Sequence, residues 1–449
     1  MWRFLNKPGK GDFSGAKRPE GQGGIRGRLN HSPNESRRFV RYRAKYGQCA
    51  DFRAQHASAT DMPQINPDIL LWARETAGLS IEEAASALQL GGVRHPGADI
   101  LRAYEGGEHA PSRPLLLKMA RVYRRPLLVF YLAEPPRRAD RGEDFRTLPP
   151  DQRVESAGAL DALVRDVHVR QRLVRTTMEE AEEAVAHTFV GSVTLDQRVD
   201  DVVTRVARAL QFDIAAFRRK RTAEDAFAYL RDQVERTGVF VLLMGNLGSH
   251  HSNISPDVFR GFAIADDVAP FIVVNDQDAK AAWSFTVLHE LIHIWLGQSG
   301  VSGGAPEQRV EKFCNDVASH LLLQNVELDD LQLDDGDLVR MAQRISEFAD
   351  ARKISRPLVG YRLLQRGRIS HPTWQELNRI FRDNWLKERD AKAKREGAPS
   401  YYTVRRHRLG GALLDLVKRT VDEGILTPTK AGRVLGVKAT NVATLLGGA

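Results

Sequence analysis

Between Gly238 and Gly297 the hydrophobic pattern of the chain changes period, and that change limits the fold more than any other feature. Three short runs come first: GVFVLLM at 238–244, FRGFAIAD at 259–266 and PFIVVND at 270–276. Each is β-rich and bounded by Gly, Pro, Asn or Asp, the punctuation of short strands. A longer segment, AAWSFTVLHELIHIWLG, then reads as one helix stopping at Gly297. After a Ser/Gly/Gly loop, EQRVEKFCNDVASHLLLQ reads as a second helix. A small sheet beside two helices is an α+β arrangement; the rest of the chain reads as mostly helical.

At 449 residues the chain exceeds one ordinary core and predicts two to four units. Residues 1–62 are basic, rich in Gly, Pro, Ser and Asn, and without sustained period, so they are expected to be disordered. Two readings of them stand: a basic nucleic-acid arm, or residues upstream of a true start at Met62. Order is expected from Pro67. PDILLWARETAG places Ile69, Leu70, Ala73 and Ala77 on one helical face and ends at Gly78. Ser80 caps the next helix, with Glu82 and Glu83 in its first turn. ADILRAYEGGE stops at Gly106, and SRPLLLKMARVYRRPLLVFYL supplies the remainder of a five-helix domain over 63–136. Residues 137–235 read as a helical connector, 236–395 as the unit with the sheet, and 400–449 as a C-terminal helical element. That last element has helix-turn-helix spacing around Gly436 and Val437, with Lys438, Thr440 and Asn441 expected outward; a cap or dimerisation element is the other reading.

Composition excludes several classes. The chain is 42% hydrophobic and 27% charged, as soluble globular proteins are. No run reaches the roughly 18 apolar residues of a membrane helix, and the start lacks the apolar core of a secretory signal. Cys49 and Cys314 cannot build a disulfide framework. A cytoplasmic protein that does not enter membranes is the expectation. A net charge of +9 permits contact with nucleic acid.

The chemistry concentrates in HELIH. His289 and His293 are separated by about 400° of helical rotation, so both rings leave one face a turn apart. Two imidazole nitrogens can then meet one zinc ion at about 2.0–2.1 Å. Phe285, Leu288, Ile292 and Trp295 form the opposing apolar stripe. Glu290 turns toward the expected cleft, where a general base for water belongs. Two histidines leave a catalytic zinc one protein ligand short. Glu311, on the next helix, is the candidate third ligand and Glu307 the alternative. Asp316 is expected to point elsewhere. Cys314 is expected in the core, turned away from the face of Glu311. With one zinc per chain, Glu290 would take the proton of water and return it to a leaving amine. Tyr361 or a basic neighbour could stabilise the oxyanion; a packed aromatic is the other reading of Tyr361.

PFIVVND, WSFTVLHELIHIWLG and VEKFCNDVASHLLL together resemble the ImmA/IrrE metallopeptidases. Phe285, Thr286, His289, Glu290, His293, Glu311, Asn315 and Ala318 match the family pattern, with Cys314 standing for its Ala and Val317 for its Phe. NPDILLWARETAGLSIEEAA, YEGGEHAPS and LLKMARVYRRPLLVFYLAEPP resemble the Cro/repressor-type (XRE) helix-turn-helix. The two resemblances cover roughly 65 to 325 and imply a zincin-like peptidase domain behind an N-terminal helix-turn-helix domain. They also imply a bacterial regulator that cleaves a partner protein, such as a repressor or antitoxin bearing its own helix-turn-helix. A non-catalytic regulator, or a toxin–antitoxin component with a structural metal, is the alternative. If the first domain reads DNA, its third helix would present Asp99 and Arg102, with Arg94 before it and Arg113 beyond, and a homodimer would be expected. Asp99 is a poor neighbour for phosphate, and QLGGVRHPG is looser than the turn such motifs use; partner recognition is the competing role.

Overall fold

The computed structural model describes residues 65–92, 95–136, 155–248, 252–301, 308–333, 337–393 and 400–447. The basic stretch 1–62, Arg94 and Glu307 lie outside the described residues. Helices α1 (Pro67–Glu75), α2 (Ile81–Ala87), α3 (Gly97–Glu105) and α4 (Arg113–Val122) and a 3-10 turn at Leu127–Tyr131 occupy the expected five-helix region. Ser80 and Glu83 form a reciprocal capping box on α2, which satisfies two orphan amides at once. The apolar faces close around Leu70, Leu101, Met119, Tyr123 and Phe130. A largely buried Arg74–Glu105 ion pair of 2.7 Å ties α1 to α3.

A long helix, α5 (Glu155–Glu180), is followed by α6 (Val199–Ala209), α7 (Ile214–Arg218) and α8 (Ala223–Glu235). The three β-rich runs form β1 (Phe240–Leu243), β2 (Gly261–Ile264) and β3 (Phe271–Val274), each fully buried along its length. Next come α9 (Lys280–Trp295), a two-residue strand β4 (Gly300–Val301) and α10 (Gln308–Leu322). The helices α11 (Asn325–Asp329), α12 (Leu338–Arg352), α13 (Arg356–Gln365) and α14 (His371–Ala393) lead to the C-terminal set. That set is α15 (Tyr401–Leu409), α16 (Gly411–Asp422), α17 (Pro428–Leu435) and α18 (Val442–Gly447).

Sheet order is β1-β3-β2-β4. β1 runs parallel to β3, pairing Phe240 with Phe271, while β2 is antiparallel to both β3 and β4. Because side chains alternate across a strand, the sheet feeds two different cores. Val241, Leu243, Ala263, Ile272 and Val274 join the core of helices from α6 to α14. Phe240, Leu242, Phe262, Ile264, Phe271 and Val273 face α5 and the C-terminal helices instead. A strand buried on both faces reads as a continuous apolar run rather than an alternating one, which is how FIVV and FVLL look. The stretch 155–235 thus divides between the two layers, and 400–447 covers the sheet face opposite α9. No described helix is long and apolar enough to cross a membrane.

Candidate metal centre

Helix α9 is buried on every side from Trp283 to Trp295 except at Phe285, its polar Ser284, Thr286, His289, Glu290 and His293 included. It packs between α8 and α10 and lies across β2 and β3. The loop before α6 secures its end: the amides of Gly191 and Val193 donate to the Ile294 and Trp295 carbonyls at 3.1 and 3.0 Å. Two carbonyls that a helix end leaves orphaned are thereby satisfied. The helix that carries the histidines is therefore fixed at both its faces and its end.

His289 Nε2 and His293 Nε2 lie 3.1 Å apart. Glu311 on α10 reaches across with Oε2 at 3.3 Å from His289 Nε2 and Oε1 at 3.3 Å from His293 Nε2. Ligands about 2.0–2.1 Å from a tetrahedral zinc stand about 3.3–3.4 Å from each other. The contacts are near that spacing, with Glu311 using a different oxygen for each histidine, and one atom from each residue lies within 4.8 Å of the others, a metal-competent group among the described residues. Lone pairs converging this closely require a cation or protons between them. Without metal, protons serve: the imidazoles hold the Glu311 carboxyl well below the usual carboxylate range despite its burial. Burial pulls His293 down, but hydrogen bonds to Cys314 and Glu311 and the charge of Glu290 outweigh it, leaving the imidazole well above its ordinary value.

A pH dependence follows. A raised His293 stabilises the metal-free fold below the unfolded imidazole value of about 6.5, and that stabilisation is lost as pH rises through the folded value. Zinc must displace the same proton. Zinc affinity is expected to rise with pH until His293 is neutral, with the change lying above pH ~6.5. Competition titrations with a chelating dye across that window check it; an affinity flat with pH would mean that His293 is not a ligand.

Glu290 is fully buried, so it does not open onto a cleft as the helical rotation alone suggested. Its carboxylate lies over β2 at Gly261, where a Cβ would come 2.8 Å from Glu290 Oε1 and 2.7 Å from Thr286 Cγ2. Only a residue without a side chain allows α9 to sit this close. A glycine inside a strand pattern marks such an approach, and FRGFAIAD carried that signal. Gly261→Ala is expected to keep zinc but displace Glu290, lowering turnover by about 10²-fold. Turnover unchanged beside unchanged metal content would sever Gly261 from the catalytic geometry.

Cys314 is fully buried, as expected, but it is not turned away from the site. Its thiol lies beside His293 and helps to raise that imidazole, while burial pushes the thiol up. The reason is helical: a residue three beyond Glu311 falls only about 60° from it, on the same face. The thiol is outside the converging set of His289, His293 and Glu311. Tyr361 donates its hydroxyl to Asp316 Oδ1 at 2.6 Å, and Gln365 donates to the same oxygen. Burial, then that hydrogen bond, holds the phenol well above its ordinary value. Asp316 Oδ2 takes Lys312 at 2.6 Å, so it does point away from the metal group. His320 is half-buried and faces Asp200 at 3.5 Å.

In the N-terminal domain Asp99 and Arg102 are exposed, but Arg102 is held by Asp99 at 2.6 Å and Glu82 at 3.2 Å. Arg113 is exposed in the first turn of α4. The C-terminal element forms two short helices about Gly436, with Lys438 and Thr440 exposed and Asn441 partly so.

Residues 235–364, less than a third of the chain, match the family model described as an IrrE N-terminal-like domain of the Peptidase M78 family. The matched stretch includes β1 and the helices α9 and α10 that carry the candidate metal ligands. Neither curated proteins nor solved structures yield a match.

Proposed function

With residues 235–364 a domain of metallopeptidase type, we propose that the protein is a zinc-dependent endopeptidase that cuts a regulatory partner protein. The observation that carries this reading is the triangle of His289, His293 and Glu311, with separations of 3.1 to 3.3 Å between facing atoms. Two imidazoles and one carboxylate would hold the ion, and three protein ligands leave a fourth position open. Bound there, zinc supplies Lewis acidity, polarising a peptide carbonyl and making water acidic near neutral pH. Glu290 takes the proton from the attacking water and hands it to the departing amine. The close fit of α9 on Gly261 keeps that carboxylate from swinging away. Tyr361 can act as an oxyanion donor only by leaving Asp316.

The substrate class, a repressor or antitoxin, follows from the family resemblance and from the helical domain that precedes the peptidase. Partner recognition is the role favoured for that domain, since Glu82 and Asp99 neutralise Arg102, the best base-reading candidate on α3. Metal analysis of wild type beside His289→Ala and Glu311→Ala tests the site itself. One zinc per chain is expected in the wild type, and affinity at least about 10-fold weaker in each variant. A wild type that takes up no zinc when it is supplied would overturn the peptidase reading.

A further inference from the structure

A well-formed cleft lies apart from the candidate metal centre, none of whose residues line it. It lies between the N-terminal helices, α5 and the C-terminal helices α15 and α17, with a volume of about 1110 Å³. Among the described residues, nine arginines and two aspartates line it. Its one histidine, His168, adds little, because burial and then Arg172 push its pKa down. We propose that this arginine-walled cleft binds a small polyphosphate anion of the nucleoside triphosphate type.

Some of these arginines have structural work. Arg170 pairs with Asp166 at 2.6 Å and also donates to the Val434 carbonyl. Arg408 pairs with Asp276 at 2.6 Å. Arg405 donates to the carbonyls of Leu435 and Gly436 at 2.6 and 3.1 Å, at the C-terminal end of α17. That end carries partial negative charge, which explains why guanidiniums gather there. It does not neutralise them: burial and the nearby Arg170 pull Arg405 down to about 10. The two guanidiniums also converge, since a Cβ on Gly436 would come 2.0 Å from Arg405 Nη2 and 2.6 Å from Arg170 Nη2.

Arg125 donates to the Thr76 hydroxyl at 2.7 Å and Arg165 also has a partner, but the other four arginines have no such explanation. Among the described residues, no ion pair is formed by Arg121, Arg124, Arg172 or Arg433, all of which line the cleft. Arg124 is additionally held at a positive φ of 54°, a conformation that costs a non-glycine residue free energy. Positive side chains supplied from three separate parts of the chain leave the cleft with a large unmet demand for anionic oxygen. Guanidinium forks match phosphate oxygens two at a time, and four guanidiniums without an ion pair call for several phosphates rather than one. The half-exposed Tyr401 ring at the cleft provides a flat face for a base. The cleft is walled on several sides and comparable in volume to the larger small-molecule sites, which favours a compact ligand over a strand passing through. The proposal is independent of the metal reading.

Calorimetric titration of the full chain with inorganic tripolyphosphate, ATP and a short single-stranded oligonucleotide tests it. Wild type is expected to bind tripolyphosphate and ATP at one site each, competitively. Replacing Arg172→Gln and Arg433→Gln together should weaken both by about 10-fold or more, the scale of lost charged hydrogen bonds. Both positions are exposed, so the unliganded variant should melt with the wild type; this separates a lost site from a lost fold. Failure of both phosphates to bind, or binding undiminished in the variant, overturns the proposal. Binding of the oligonucleotide alone also overturns it and assigns the cleft to nucleic acid.

Discussion

Glu290→Gln is expected to leave zinc content unchanged and to lower peptide hydrolysis by about 10²–10⁴-fold, the usual contribution of a positioned general base. The substitution keeps the size of a side chain that is fully buried between α9 and β2, so the fold and the ligand triangle should survive. What the amide cannot do is accept the proton of the attacking water. Metal analysis and cleavage of a repressor-type substrate, measured on the same preparation, give the two readouts together. Full cleavage by the variant would remove Glu290 from the mechanism. Loss of zinc along with activity would mean that the carboxylate acts on the site electrostatically, through the charge that helps hold His293 protonated.

The second large effect concerns an ion pair outside the candidate metal centre. Arg231→Ala is expected to destabilise the protein by about 3–5 kcal/mol, the cost of stranding one partner of a buried ion pair. Arg231 on α8 pairs with Glu235 at 3.0 Å, and both side chains are more than nine-tenths buried. The guanidinium donates to the Val241 carbonyl of β1 and, at 2.6 Å, to the carbonyl of His407 on α15. Glu235 accepts the amides of Gly411 and Ala412 at 3.1 and 3.2 Å, at the start of α16. One ion pair thus joins α8, the sheet and the C-terminal helices. Burial pushes Arg231 down and Glu235 up, so each charge is costly alone, and only the backbone contacts and the partner offset that cost. Gly410 completes the clamp: at φ +83° a Cβ would meet Glu235 Oε1 at 2.2 Å. Chemical denaturation followed by circular dichroism measures the loss. Removing Glu235 as well should restore part of the stability, since the stranded carboxylate is then gone. A loss below about 1 kcal/mol for the single variant would place the pair among interactions of surface strength.

The metal site was legible because its grammar is local. Two histidines one turn apart on an apolar helix fix their own geometry, and a carboxylate on the next helix needs only one packing contact to reach them. Helix caps were legible for the same reason: Ser80 and Glu83 act within four residues. The strands were placed but drawn too long, since apolar runs continue past the ladder; FIVV alone of PFIVVND is strand. Cys314 was expected away from the face of Glu311, but three residues make nearly a full helical turn and bring it back to that face.

Legible from the chain alone, then, were the group of His289, His293 and Glu311, the helices that carry it and the change from helix to sheet near Gly238, all of which depend on spacings within one or two elements. Tertiary structure alone decided what those elements meet. The fit of Glu290 on Gly261, the meeting of Cys314 with His293, and the gathering of arginines from three regions into one cleft join residues 29, 21 and up to 312 positions apart. Helical period and alternation record which face of an element is apolar, but they carry no record of which distant element will cover it. That choice is made by packing, where the shapes and charges of all layers are satisfied together.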